Sequence, residues 1–452
     1  MKKACVVFVL LGSFILQAVE PWELSFGRIA SRRFVLDNEL TLCEMKLDTA
    51  VAEKVQHPTL TNGLRVVGGF WPAAHYAADV RSLPAEIAFA DAAGNVALRF
   101  AAPTNVPPPY RLDVMLTCRH KPAVFVTQKG RTHLAYIGEI PADFDPRAKA
   151  NLARLKFCVS DNVRNARASL SAGVGQADVR FVTRGRENAL YLENGRVFFT
   201  FSARAYGAYQ AVASFDPSRF DVRFEGVVLF DYGDGLLRND LASHLFYDED
   251  AREWRGWASN FSTGTDALGK RARGGLNAVW SAKCPLHGLS IMHAKSLGLD
   301  GLNEDPCGTW DAAAGKWRLL VSEFTPKGIR ASMLESPNWD GPYVRLAGPV
   351  ERDSTGTTVA WCDGVRYCFS GSADRACYVY SYPSLEMKGR LQFDLPPWNA
   401  KSCPNGRVWP CFGQLPEGYP LRYLLLTMDR ANFPNMPKPN WTYGALCLYG
   451  AE

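Results

Sequence analysis

The stretch ENGRVFFTFS, Glu193 to Ser202, decides how this chain is read: a glycine turn delivers the backbone into an aromatic, strand-like run that stops at a small hydroxyl. The same grammar returns as DEDAREWRGWAS to Ser259, DAAAGKWRLLVS to Ser322, CDGVRYCFS to Ser370 and PEGYPLRYLLLT to Thr427. The end residues stand 57, 63, 48 and 57 positions apart, the length of one four-stranded sheet with its loops. Such a sheet cannot bury both faces alone, whereas several arranged radially can. The expected fold class is therefore all-β: a five-bladed β-propeller over residues 176–452, preceded by a β-sandwich-like accessory domain over 19–175 and a signal peptide over 1–18.

Within each unit the strand preceding the aromatic run is expected to be innermost, with strands such as Ile329 to Ser332 and Tyr378 to Ser381 further out. The last unit is short, since only Trp441 to Tyr449 follows Thr427 as strand-like sequence. Asp178 to Thr183 is expected to supply the missing strand and close the ring, removing an exposed edge. In the first half, Glu86 to Ala90 and Val96 to Phe100 alternate about a glycine turn and read as a hairpin, and Pro146 to Leu155 is helix-prone.

A length of 452 residues, 47% of them hydrophobic and 21% charged, excludes disorder and exceeds one ordinary domain. The net charge of +6, two of it from Lys2 and Lys3, brings no clustered basic footprint, so no nucleic-acid partner is expected. Met1-Lys2-Lys3 precedes an apolar run, Ala4 to Leu16, too short to span a bilayer. The chain reads as exported, cleaved near Val19, and secreted or periplasmic with no membrane partner after cleavage. The 12 cysteines form no C-x-x-C pair and mostly sit in apolar runs, so buried thiols with one or two disulfides are expected.

Beyond the aromatic runs, an acidic segment opens a unit at Asn303-Glu304-Asp305-Pro306, and a tryptophan turn, Ser336-Pro337-Asn338-Trp339-Asp340-Gly341-Pro342, closes one. On this blade grammar, roughly the C-terminal 60% of the chain resembles the five-bladed β-propeller glycoside hydrolases, the superfamily that includes families 43, 32, 62, 117 and 130. No complete catalytic motif of any one family is present. The resemblance implies an exported glycoside hydrolase acting on a poly- or oligosaccharide, and families 43 and 117 imply inversion.

A propeller brings the starts of its innermost strands to one mouth of the axis. Counting back from the repeat places Glu187, Asp240, Glu304 with Asp305, Asp353 and Arg407 there. Glycoside hydrolysis needs one ionised and one protonated carboxyl. Asp240, Glu304, Asp305 and Asp353 are the catalytic candidates, with Asp240 as base or orienting carboxylate and Glu304 as general acid. Glu187, His244, His293, Arg407 and Trp310 are the substrate-binding candidates; His287 extends the histidine group, and Trp257, Trp280, Trp361 and Trp409 are further aromatic surfaces. No metal ligand set and no cofactor is expected, although the propeller axis has room for a structural metal ion. No G-x-S-x-G, H-E-x-x-H, P-loop or dinucleotide motif is present. The alternatives are a non-catalytic carbohydrate-binding propeller and a polysaccharide lyase.

Overall fold

The computed structural model describes residues 18–36, 40–41, 59–60, 62–118, 120–261, 275–394, 408–429, 431–437 and 444–452. The leader, Arg407 and Trp441 lie outside the described residues. Five four-stranded units follow one another around an axis. Their inner strands are Gly175–Phe181, Leu241–Asp248, Asn303–Asp311, Thr355–Cys362 and Cys411–Gln414. The repeated aromatic runs are the second strands, Arg196–Arg204, Glu253–Ser259, Lys316–Thr325, Val365–Gly371 and Tyr423–Met428. Their terminal hydroxyls, Ser202, Ser259, Ser322, Ser370 and Thr427, are all fully buried.

Ring closure differs from the expectation. Gly175–Phe181 pairs with Arg196–Arg204 and is the inner strand of the first blade, so Asp178 to Thr183 closes nothing. The fourth strand of the fifth blade is Ser25–Arg32, antiparallel to Leu446–Ala451. Residues 25–32, placed by sequence in the accessory domain, thus lie in the propeller. The physical reason is the same edge problem the expectation invoked, solved by the chain's other end. The polar alternation SFGRIASR suits an outer strand with one face in solvent.

The first two blades form a single sheet, because their outer strands, Arg223–Asp231 and Gly288–Ser296, pair in parallel from Gly226↔Gly288 to Asp231↔His293. Glycine makes this approach possible: a Cβ on Gly226 would meet the Gly288 carbonyl oxygen at 2.3 Å.

The accessory domain packs a four-stranded sheet on a six-stranded one. The Glu86–Ala90 and Val96–Ala101 hairpin forms as expected, and the helix-prone segment yields a helix at Lys149–Arg154. Between the sheets, Tyr76 meets Phe89 and Phe157 edge-on at 4.7 and 4.9 Å, and the same core runs without a break into the first blade at Phe199 and Phe215. The nine described cysteines are all free thiols, and eight are buried. No disulfide therefore forms among the described residues, because the apolar strands that carry these thiols bury them singly. Among the described residues no helix is long and apolar enough to cross a membrane.

Candidate active site

Four inner strands carry the same irregularity. Each loses register with its second strand at a bulge whose first residue has positive φ: Asp178 (55°), Ala242 (50°), Asp305 (56°) and Gly356 (63°). A bulge re-aims the side chains on either side of it. Residues at or just before it gather at the near mouth of the axis, where the inner strands begin. Residues two positions later, together with Cys411 of the fifth blade, form a ring on the axis: Arg180, His244, Cys307, Thr358 and Cys411, which line one cavity.

At the near mouth, Asp178 Oδ2 accepts from Ser202 Oγ at 2.7 Å and is ion-paired with Arg204 at 3.0 Å. Its Oδ1 has no such partner among the described residues. Asp240, fully buried, accepts at Oδ2 from Tyr232 Oη at 3.0 Å and Asn277 Nδ2 at 3.1 Å. Asp305 Oδ2 takes three donors: Ser322 Oγ, Thr355 Oγ1 and the Gly356 amide, all at 3.0–3.1 Å. Two of these belong to the fourth blade, so Asp305 ties two blades together. The carboxyl of Asp305 is pushed above its usual range, first by burial and then by the charge of Asp178, which places the two groups within electrostatic reach. Glu304, one residue earlier, is partly exposed. The accessory domain abuts this mouth: Asn239 Nδ2, beside Asp240, donates to the Thr117 carbonyl at 3.3 Å, and the Leu237 amide donates to Arg147 at 2.8 Å.

The buried serines explain the repeat's hydroxyl ending. Ser202 and Ser322 donate to the bulge carboxylates of their own blades, and Ser259 accepts the Asp305 amide from the neighbouring blade at 3.0 Å.

The axial ring is sealed across blades. Gly308 N donates to His244 Nδ1 (3.2 Å), Val359 N to Cys307 Sγ (3.2 Å), and Phe181 N to Cys411 Sγ (3.1 Å). Burial, aided by Arg180, lowers the His244 pKa to about 3, so the ring is neutral, accepts at Nδ1 and donates from Nε2 to Thr183 Oγ1 at 3.0 Å. Arg180 donates to the Thr357 carbonyl, Thr358 Oγ1 and the Asp305 carbonyl. A metal ion at this ring would stand beside a guanidinium, and among the described residues no three His, Cys, Asp or Glu side chains group as ligands. These residues do not fit an axial cation.

The remaining sequence candidates have other surroundings. The Glu187 side chain is 56% exposed near the far mouth, where the inner strands end, and its carbonyl accepts from Trp361 Nε1 at 2.6 Å. Asp353, two residues before the fourth inner strand, accepts the Ala373 amide at 2.8 Å and stands 3.9 Å from Arg330 of the third blade's third strand. His293 is exposed on an outer strand against Trp280, and His287 bridges Glu193 and Glu225, so the histidines do not cluster. Trp310 packs edge-on against Trp317 at 5.6 Å. Trp257 and Trp409 are buried, each donating its indole N–H to a backbone carbonyl. Arg407 lies outside the described residues. Sequence reasoning missed Asp178 and Arg180: counting back from the first aromatic run stopped at Glu187 because the small strands Thr183–Arg184, Ala189–Leu190 and Leu192–Glu193 intervene. Aligning Ala177-Asp178-Val179-Arg180 with Glu304-Asp305-Pro306-Cys307 would have found both.

No family model matches the chain, and no curated protein matches it. Among solved structures it is similar to the catalytic domain of a family 62 α-L-arabinofuranosidase of Coprinopsis cinerea, at TM-score 0.41 and 11% identity, over 62% of this chain and 91% of that one. An α-L-arabinofuranosidase of Lactobacillus brevis gives TM-score 0.42 and 12% identity over 62% and 91%. A family 117 glycoside hydrolase of Zobellia galactanivorans gives 0.41 and 10% over 62% and 85%. These are similarities of outline, and the chemistry of the site rests on this chain's own residues.

Proposed function

We propose that the chain is an exported glycoside hydrolase acting on a poly- or oligosaccharide at the near mouth of its propeller. What supports this reading is the position of Asp178, Asp240 and the Glu304-Asp305 pair at or just before the bulges of three consecutive inner strands, with Asp178 and Asp305 within electrostatic reach. Asp178, ion-paired with Arg204 and with Oδ1 left over, suits the base that draws a proton from water. Glu304, the partly exposed member of its pair, suits the acid that protonates the leaving oxygen. Asp240 is the orienting carboxylate. Asp305, spent on three donors, acts as a positioning residue. Base and acid come from different blades, which favours the wider separation and the attacking water of an inverting mechanism.

The test is a panel of plant and algal glycans incubated with the mature protein, with the anomer released at early times read by proton NMR. Cleavage with inversion supports the reading. Retention would assign Asp178 to nucleophilic attack instead. A panel that is bound but never cleaved would promote the carbohydrate-binding reading, which has its own support: the axial cavity opens at the far mouth, where no carboxylate lines it among the described residues.

A further inference from the structure

The axial cavity has a volume of about 360 Å³, within the range of small-molecule sites. It is walled by the first, fourth and fifth blades and floored by the ring of five axial side chains. Among the described residues Arg180 is the one charged group in that lining. His244 is neutral, and burial pushes the Cys411 thiol up to about 12 and raises Cys307 as well, so neither sulfur carries charge at ordinary pH. The floor therefore holds one net positive charge.

Among the described residues no carboxylate oxygen lies within ion-pair distance of that charge. Arg180 is 2% exposed, its Nη1 donates to the Thr357 carbonyl and Thr358 Oγ1, its Nη2 donates once, to the Asp305 carbonyl, and its Nε is buried without a hydrogen-bond acceptor. Asp305 feels the same guanidinium at longer range, but Arg180 bonds its backbone carbonyl and not its carboxylate, whose Oδ2 takes Ser322, Thr355 and Gly356. A buried, hydrogen-bonded cation without a counter-ion is costly, and an anion in the adjoining space would relieve the cost. The walls beyond it are mostly apolar, formed by Phe181, Leu190, Val359 and Phe412, with Thr183 and Gln414 as neutral polar groups.

We propose that this far-mouth cavity is a second site, distinct from the near-mouth carboxylates, that binds a small organic monocarboxylate with its charge on Arg180 and its body against the apolar walls. Guanidinium geometry suits a carboxylate. The proposal does not depend on the hydrolase reading, because it uses none of the near-mouth groups.

The experiment is calorimetric titration of the mature protein with sodium benzoate and sodium acetate at constant ionic strength, with sodium chloride and benzyl alcohol as controls. Saturable binding of one benzoate per chain is expected, at least tenfold tighter than benzyl alcohol or chloride. Arg180→Gln should weaken it at least tenfold. Should that variant not fold, Leu190→Trp, which fills the cavity from its wall and leaves Arg180 in place, should abolish binding. Asp178→Asn should leave binding unchanged whatever it does to turnover. The absence of saturable heat from either carboxylate, chloride binding as tightly as benzoate, or unchanged binding in Leu190→Trp would each overturn the proposal.

Discussion

At the near mouth Asp178, Asp240, Glu304 and Asp305 gather at or just before the bulges. Two residues further along the same strands, the axial ring presents Arg180, His244, Cys307 and Thr358, and among the described residues the cavity beyond it has no lining carboxylate. One structural device separates these two chemistries. The bulge breaks the period-two alternation, so a side chain at the bulge and one two places later need not share a face. The near mouth can therefore concentrate acid while the axis behind it holds a single guanidinium. The difference teaches that a propeller's two openings are to be assigned separately, from what each inner strand carries on either side of its bulge.

The largest effect that would sharpen this contrast concerns turnover. Asp178→Asn preserves shape and the Ser202 contact while removing the charge, and should lower glycan cleavage by roughly 10²–10⁴-fold with the unfolding midpoint changed little. Glu187→Gln, near the other opening, should leave turnover within about twofold, since Glu187 lies outside the near mouth. Equal losses in both variants would break the separation.

Ring closure comes next. Deleting residues 19–32 removes the outer strand of the fifth blade and leaves Leu446–Ala451 as an unpaired edge. The truncated chain should associate on size-exclusion chromatography and lose cooperative unfolding. A monomer with unchanged stability would contradict the assigned topology.

Smaller still is the loss of Asp305. Asp305→Ala leaves two hydroxyls and an amide without their acceptor, and each unsatisfied buried group costs about 1–3 kcal/mol. A fall in the urea midpoint is expected, with Asp305→Asn intermediate.

The last effect belongs to the axis. His244 has an ordinary pKa of 6.5 that burial lowers to about 3 in the folded state, so between these values the unfolded chain binds the extra proton. Its contribution to stability is complete above pH 6.5 and is lost as pH falls through that window towards 3. Urea midpoints across the window should fall less steeply in His244→Gln than in the unaltered protein.

Much of this was legible in the chain. The five aromatic runs located every second strand, because turn-to-aromatic alternation is a local signal that survives variation in loop length. The positions of Asp240 and Asp305 at the starts of their inner strands followed, since short connections tie those strands to the runs. Three features were not legible. Asp178 was hidden by the longer connection after Phe181. The closing strand, Ser25–Arg32, lies over 400 residues from its partner Leu446–Ala451, and no local pattern encodes that pairing. His293 sits on a strand as the pattern allows, but sequence alone does not say that this strand is an outer one.

The central claim, that Asp178 and Glu304 divide base and acid work at the near mouth, is tested most directly by Glu304→Gln on aryl glycosides of graded leaving-group pKa, once the glycan panel has named the sugar. A general acid matters less as the leaving group needs less protonation. The account predicts that Glu304→Gln cleaves natural glycans at least 100-fold more slowly, yet approaches the unaltered rate on dinitrophenyl glycosides, whereas Asp178→Asn stays impaired on both. A Glu304→Gln variant equally impaired, or equally active, across the whole leaving-group series would contradict it.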